Sequence, residues 1–455
     1  MRKFGVQAAL QLLSVIVSMR LVTVRLSILG VRRTMKALLL TVGSQGDIQP
    51  FVALAVRLRA AGHEAVLAAP AMFSGLADAY GVPFVPLELN MGQVGEAVAG
   101  RYGLRHLLRF CRSAGQHAAA VLPALAAAAD GGADLVVHHP VLPLGQHLAE
   151  LLGVPAVVGL AMPALVPTRE FPAAVWPCRI PGMLNRPSYL AAGRLVGTWC
   201  RRDVDRWRRD VLDLPPRRGH HDSLVSGDGA PVTVLHAFSE HVLPRPADWP
   251  ATAHVTGYWL LPAPESWSPP RRLAAFLDAG RPVVYVGFGS MPSLDAPRLA
   301  ASVRAAAEDT DVRVVVASLD PALRRLLPSG RFLVIRNAPH DWLFPQVDAI
   351  VHHGGAGTTA AALHAGKPQV IWPFSFDQPF WGRRMASLGV APEARPVHEL
   401  TGPALASALG RALGDPGLAR RSAALATMLR AEDGAGTAVF HLEDVMTSSR
   451  VAVGA

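Results

Sequence analysis

Short, almost unbroken apolar runs alternate along this chain with segments whose apolar residues recur at helical spacing. The runs are "KALLLTV" from Lys36, "EAVLAAP" from Glu64, "ADLVVHHP" from Ala133 and "PAVVGLAM" from Pro155, with helical patterns such as "QPFVALAVRLRAAGH" and "LGQHLAELLG" between them. A strand that alternates apolar and polar residues has one wet face, whereas a continuous apolar run needs cover on both. Helices supplied by the intervening segments give that cover, so the pattern predicts an α/β chain with parallel, doubly wound sheets. After the Pro-rich break "LLPAPESWSPP" (260–270) a second series begins: "RPVVYVGFGS", "VRVVVASL", "RFLVIRNAP", "VDAIVHHGG" and "KPQVIWPF". A 455-residue chain also exceeds the ~250 to 300 residues at which single cores stop growing. Two Rossmann-like domains are therefore expected, 35–259 and 271–440, facing across a cleft, with 260–270 as linker and 441–455 as a tail.

Residues 1–34 do not share the pattern. "MRKFGVQAALQLLSVIVSMR" has a basic start and an apolar middle, but no A-x-A site follows, and Arg20 and Arg25 interrupt the apolar run too early for a spanning helix. The segment reads as an extension outside the fold, with "MKALLLTVGS" at Met35 resembling a natural start, or as an amphipathic membrane-surface segment. The 44 Lys and Arg against 34 Asp and Glu leave a formal charge of +10. The arginines are scattered and not interleaved with aromatics, which argues against a nucleic-acid partner and leaves anionic ligands or peripheral membrane contact open. Cys111, Cys178 and Cys200 show neither metal nor CxxC spacing, which favours a reduced, cytoplasmic setting.

Glycine-rich turns close three strand patterns: "GSQGD" (43–47), "GFGSM" (287–291) and "HHGGAGTT" (352–359), the last before a helix expected to begin near Thr358. Glycines there let backbone N–H groups approach an anion, and a helix start adds the positive end of its dipole. Each turn on its own could equally be a tight connection. No G-x-G-x-x-G is present, and "AGKP" at 365–368 lacks the glycine loop and Ser/Thr of a Walker motif, so dehydrogenase and kinase readings recede.

"GSQGDIQPFVALAVRLRAAGHEAVLAAP" and "APHDWLFPQVDAIVHHGGAGTTAAALHAGKPQVIWPFSFDQPFWGRR" resemble the two signature regions of the UDP-glycosyltransferase superfamily with the GT-B fold. The likeness is nearest to its sterol glucosyltransferase and bacterial antibiotic glycosyltransferase branches. It spans both domains and implies a nucleotide sugar held mainly by the second, a hydrophobic acceptor alcohol held mainly by the first, inversion at the anomeric carbon and no metal or other cofactor. Residue by residue, it implies that His353, Ser290 and the backbone of Gly355, Ala356, Gly357, Thr358 and Thr359 contact the diphosphate. Asp377 and Gln378 would bind the donor sugar, and Pro339 and His340 the nucleobase. Packing or helix capping is the alternative for His340, and His352 reads as a core histidine.

Deprotonation of an aliphatic hydroxyl needs a base. Where many relatives carry a histidine, the frame here is "DIQP", making Asp47 the implied base; its alternative role is the N-cap of a helix starting at Ile48 or Gln49. His138 and His139, ending a neighbouring strand pattern, could assist or simply be packed. Phe171, Trp176 and Tyr189, in the Pro- and aromatic-rich stretch after the fifth strand, are candidates with His139 for the acceptor pocket, or pack a long loop. "DVD" (203–205) has the form of a metal-binding triad, but the surrounding Asp and Arg residues recur at i, i+3 and i+4, as on a solvated helix face. The resulting expectation is an O-glycosyltransferase moving a hexose, UDP-glucose above others, to a lipophilic hydroxyl. A nucleotide-sugar epimerase of the same architecture, a dTDP-deoxysugar transferase of antibiotic biosynthesis and a non-catalytic partner protein are the rivals.

Overall fold

The computed structural model describes residues 34–89, 121–140, 144–176, 180–217, 222–280, 282–289 and 295–453. The expected extension 1–34, apart from Thr34, and Ser290, Cys111 and Cys178 lie outside the described residues. Strands β1 (Lys36–Leu40), β2 (Glu64–Pro70), β3 (Phe84–Leu87), β4 (Leu135–His138), β5 (Ala156–Leu160), β6 (Thr233–His236) and β7 (Ala253–Val255) form one sheet in the order β3-β2-β1-β4-β5-β6-β7. Strands β8 (Val283–Gly287), β9 (Arg313–Ala317), β10 (Phe332–Ile335), β11 (Ala349–His352) and β12 (Gln369–Ile371) form a second, ordered β10-β9-β8-β11-β12. All pairings between these strands are parallel.

The continuous apolar runs follow from what lies on each face. In β1, Ala37 and Leu39 enter one core while Leu38 and Leu40 enter another. In β8, Val284 and Val286 face one core, and Val283 and Tyr285 a different one. Because successive side chains point to opposite faces, both parities must be apolar. The strand order reverses between β1 and β4 in the first sheet and between β8 and β11 in the second, the switch points beyond which such sheets bind ligands.

A further core joins the two domains. Val158, Leu160, Val234 and Phe238 of the first pack with Ala360, Leu363, Trp381, Met385 and Leu429 of the second. The last helix then returns across the boundary. Residues Gly434–Val453 are continuous helix, and Ala438, Val439, Leu442 and Met446 on it join the core built from Ile48, Phe51, Val52 and Leu58 of the first domain. The expected division at residue 440 falls inside this helix. His63 Nε2 to Glu443 Oε1 (3.0 Å) and Arg57 to Asp433 (2.6 Å) fasten it at its sides.

The docked helix therefore contributes to the first domain's stability from the far end of the chain. Leu442 is fully buried, so Leu442→Ala should lower unfolding free energy by ~2 to 5 kcal/mol. Urea denaturation followed by circular dichroism would measure it, and a change below ~0.5 kcal/mol would mean that the helix is not seated on this core in solution.

Candidate active site

Helix α1 (Gln45–Ala60) begins beyond β1, and its N-cap is Ser44. Asp47 is the third helical residue and completes a reciprocal capping box: one carboxylate oxygen, Oδ2, accepts from the Ser44 N–H (2.8 Å) and hydroxyl (3.0 Å), as such boxes do. The expected N-cap role for Asp47 is thus corrected. The helix begins a turn earlier than expected and accommodates Pro50 inside. Thr41 Oγ1 donates to the Asp47 carbonyl (2.9 Å), tying the strand end to the helix. The other oxygen, Oδ1, lies 3.9 Å from His139 Nε2, with the Asp47 side chain 30% exposed.

His139 leaves β4 across the switch point from Asp47. Burial pushes its pKa below the usual imidazole range, against the pull of the Asp47 charge. It lines an apolar crevice with Leu40, Thr41, Val42, Leu87, Leu125, Leu144 and Gly145. These leucines were not singled out from sequence, since each reads as an ordinary core residue of its element. Gly145 has a local reason: a Cβ there would lie 2.3 Å from that of His138. His138 is buried, and desolvation lowers its pKa to about 4.

The matching switch point of the second sheet lies between β8 and β11. Helix α2 (Ala356–Ala365) starts after β11, two residues earlier than expected, with Gly355 as an N-cap that offers no side-chain acceptor. Gly354 sits at φ +87°, and a Cβ there would meet Ile371 Cγ2 at 2.8 Å. His352 holds this turn by accepting from the Gly354 N–H at Nδ1 (3.0 Å) and donating from Nε2 to Gln369 Oε1 (2.9 Å). It is a satisfied core histidine. The His353 ring fits between two glycines: a Cβ at Gly289 or at Gly355 would come within 3.1 Å or 2.4 Å of it. Burial first, and His340 second, lower the His353 pKa to about 4, so the ring is neutral at pH 7; its Nδ1 is buried without a partner. Gly357 faces Gly46 across the cleft, where a Cβ would stand 3.7 Å from the Gly46 Cα. The two helix starts therefore meet. Thr358 lies half-buried in the first turn of α2, and Thr359 is buried, its N–H bonded to the Gly355 carbonyl.

Asp377 precedes helix α3 (Gln378–Ser387) and is buried. Its Oδ2 accepts from the indole N–H of Trp381 (3.0 Å), and the Ala356 N–H at the start of α2 also faces its carboxylate. Desolvation, reinforced by the Asp47 charge, raises its pKa to about 7. Gln378 Oε1 accepts from the Phe374 (2.8 Å) and Ser375 (3.3 Å) N–H groups, so this oxygen holds the turn. In that turn Phe376 adopts φ +55°, an uncommon conformation for an aromatic residue. Pro339 caps a short helix begun by His340. The His340 ring stacks on Phe344 (4.1 Å) and meets Tyr285 edge-on (5.8 Å), the packing alternative weighed for it.

The three aromatic acceptor candidates pack the loop instead of lining the crevice. Tyr189 is buried and donates to the Phe171 carbonyl (3.3 Å), Trp176 donates to the Ser188 carbonyl (3.1 Å), and Phe171 meets Trp249 and Phe380 edge-on. "DVD" falls in the helix Asn185–Asp210, where Arg201 pairs with Asp205 at i, i+4 (3.6 Å). Among the described residues, no group of three His, Cys, Asp or Glu is placed to hold a metal ion.

Two parallel-sheet domains meeting at their switch points constitute the GT-B architecture. The kitacinnamycin glycosyltransferase shares it with a TM-score of 0.67 at 21% identity, over 91% of this chain and 99% of that one. Residues 37–166 match the glycosyltransferase family 28 N-terminal domain, and residues 292–441 the erythromycin biosynthesis protein CIII-like C-terminal domain. The O-mycaminosyltylonolide 6-deoxyallosyltransferase of Streptomyces fradiae is 35% identical over 90% of this chain and 97% of its own length. A sterol 3-beta-glucosyltransferase of Arabidopsis thaliana is 34% identical over 90% of this chain and 68% of its own. The chain spans only 25 to 29% of the fungal sterol 3-beta-glucosyltransferases that it also matches. The chain belongs to this glycosyltransferase family, and it is a glycosyltransferase.

A carboxyl whose folded pKa stands above its unfolded value binds more protons in the native state between the two. Asp377, moving from 3.8 to about 7, therefore makes the unliganded protein lose stability as pH rises from about 4 to about 7. Asp377→Asn should remove this component. Thermal melts of both proteins across that range should show their difference changing with pH, and a constant difference would contradict the assignment.

Proposed function

We propose that the enzyme transfers a hexose from a nucleotide diphosphate sugar, UDP-glucose foremost, to a hydroxyl of a lipophilic small molecule, with inversion and without a metal. The observation that carries this reading is the division of Asp47's two oxygens. Oδ2 is anchored by the Ser44 cap, while Oδ1 looks toward His139 at the apolar crevice. An acceptor hydroxyl brought to Oδ1 at the mouth of the cleft would lose its proton to it as its oxygen attacks the anomeric carbon and the bond to the diphosphate breaks on the opposite side.

Charge then develops on the departing phosphate. The N–H groups opening α2 and the neutral His353 ring supply fixed donors for it, the preorganised stabilisation that lowers such barriers most. Pro339, His340 and Ser290 keep their proposed nucleobase and phosphate roles by family resemblance. The names of the relatives support a lipophilic acceptor, since they give a sterol in one and a tylonolide in the other. The Streptomyces relative's name also gives a deoxysugar, which keeps a dTDP-6-deoxyhexose donor as the second reading. Relatives named as transferases weigh against an epimerase.

Asp47→Asn should keep the cap but lower kcat ~10² to 10⁴-fold with donor affinity nearly unchanged. Retention of more than a tenth of kcat would leave Asp47 a capping residue. Excess EDTA should leave turnover intact, and His353→Ala should remove ~2 to 4 kcal/mol of transition-state stabilisation. Turnover abolished by EDTA and restored by Mg²⁺ would overturn the metal-free scheme. Product mass spectrometry with UDP-glucose and dTDP-6-deoxyhexose competing for one sterol or macrolide acceptor decides between donors: UDP-glucose should lead by ~10-fold or more in kcat/KM, because a deoxysugar leaves buried hydrogen-bonding capacity unmatched.

A further inference from the structure

Asp377 is buried, and among the described residues the groups that face its carboxylate include the Trp381 indole N–H, the Ala356 N–H and the charge of Asp47. Trp381 is itself 1% exposed and belongs to the core shared by the two domains. Its ring meets Phe238, just beyond β6 of the first domain, edge-on at 5.8 Å, and Phe380 at 5.3 Å. Phe380 in turn meets Phe171, in the loop after β5 of the first domain, at 5.6 Å. An unbroken aromatic file therefore runs from the acceptor domain to the hydrogen bond on Asp377.

We propose that Trp381 is a positioning residue for the donor sugar: its N–H aims the Asp377 carboxylate, and Phe238 and the Phe171–Phe380 pair fix the indole, so the first domain sets sugar recognition in the second. The proposal rests on Asp377 facing the sugar. A hydrogen bond to a carboxylate is directional and charge-assisted, whereas the aromatic contacts that hold the ring act through shape and edge-to-face geometry. The two can therefore be separated by mutation. Trp381→Phe keeps an aromatic ring in the core and removes the N–H. Phe171→Leu loosens the far end of the file without touching Asp377.

Trp381→Phe should raise KM for UDP-glucose ~10-fold while inhibition by UDP, which lacks the sugar, stays within ~2-fold. The indole bond favours the ionised carboxylate, so its loss should also move the acidic limb of kcat/KM for the donor to higher pH. Phe171→Leu should produce the same sugar-specific effect at smaller size. Equal weakening of UDP-glucose and UDP, or a lowered Tm with unchanged donor discrimination, would reduce Trp381 to a packing residue and overturn the proposal. Asp377→Asn separates the two levels. If it leaves discrimination between UDP-glucose and UDP-galactose untouched, the sugar-facing reading itself fails; if it alters discrimination while Trp381→Phe does not, only the positioning role fails.

Discussion

Everything that can happen in this cleft depends on the apolar seam between the two domains. Its residues come from both sheets' surroundings, with Phe238 and Val234 on one side and Trp381, Met385 and Leu429 on the other. Buried apolar area is non-directional and strong in aggregate, so it can hold two domains together but cannot by itself choose their angle. The choice is made by the directional contacts at the rim. The Arg384 guanidinium donates to the Val242 carbonyl, Ser239 to Glu432, and the Ala263 N–H to Asp341. With the angle set, the glycines opening α1 and α2 stand opposite each other, and the space above them is where an anion and a hydroxyl can meet.

Glycine at both helix starts keeps the space between them open. Gly46 and Gly357 approach so closely that an added Cβ at the latter reaches van der Waals contact, and a larger side chain would occupy the space between the two domains. The same closeness brings two carboxylates, Asp47 and Asp377, into each other's field, which helps to raise the Asp377 pKa. Like charges from opposite domains disfavour the empty, closed cleft at high pH. On the proposed reading, a donor sugar between them would offer hydroxyl donors to Asp377 and ease that repulsion.

The strands were legible in sequence because both of their faces are buried, which writes them as unbroken apolar runs. β3, β6 and β7 were not: β3 and β7 lie at the edges of their sheet, β7 has three residues and β3 contains Pro86, so neither shows such a run, and β6 has only four residues and opens on Thr233. The Gly-rich turns were legible because local backbone geometry demands glycine at fixed spacing, whereas His353 and Asp377 stood out only through the resemblance to a family. The crevice was not, since Leu40, Leu87, Leu125 and Leu144 come from four separate segments and carry no local mark. The docking of the last helix was hidden for the same reason: Val439 and Leu442 find their partners, such as Phe51 and Leu58, nearly four hundred residues away along the chain.

On the proposed reading, Asp47 carries a structural and a chemical role on one side chain. A capping interaction ordinarily fixes a carboxylate and lowers its freedom, which would seem to oppose use as a base. Here only Oδ2 is engaged by Ser44, and the anchoring removes the rotational freedom that a flexible aspartate would have to lose on each turnover. The free energy of that ordering is supplied by helix folding rather than by substrate binding. A histidine in this frame would offer a single acceptor nitrogen and could not take the Ser44 N–H and hydroxyl together. The serine at the N-cap and the aspartate three residues later are therefore a matched pair, and replacing the aspartate by histidine would loosen the Ser44 cap as well as change the proposed base.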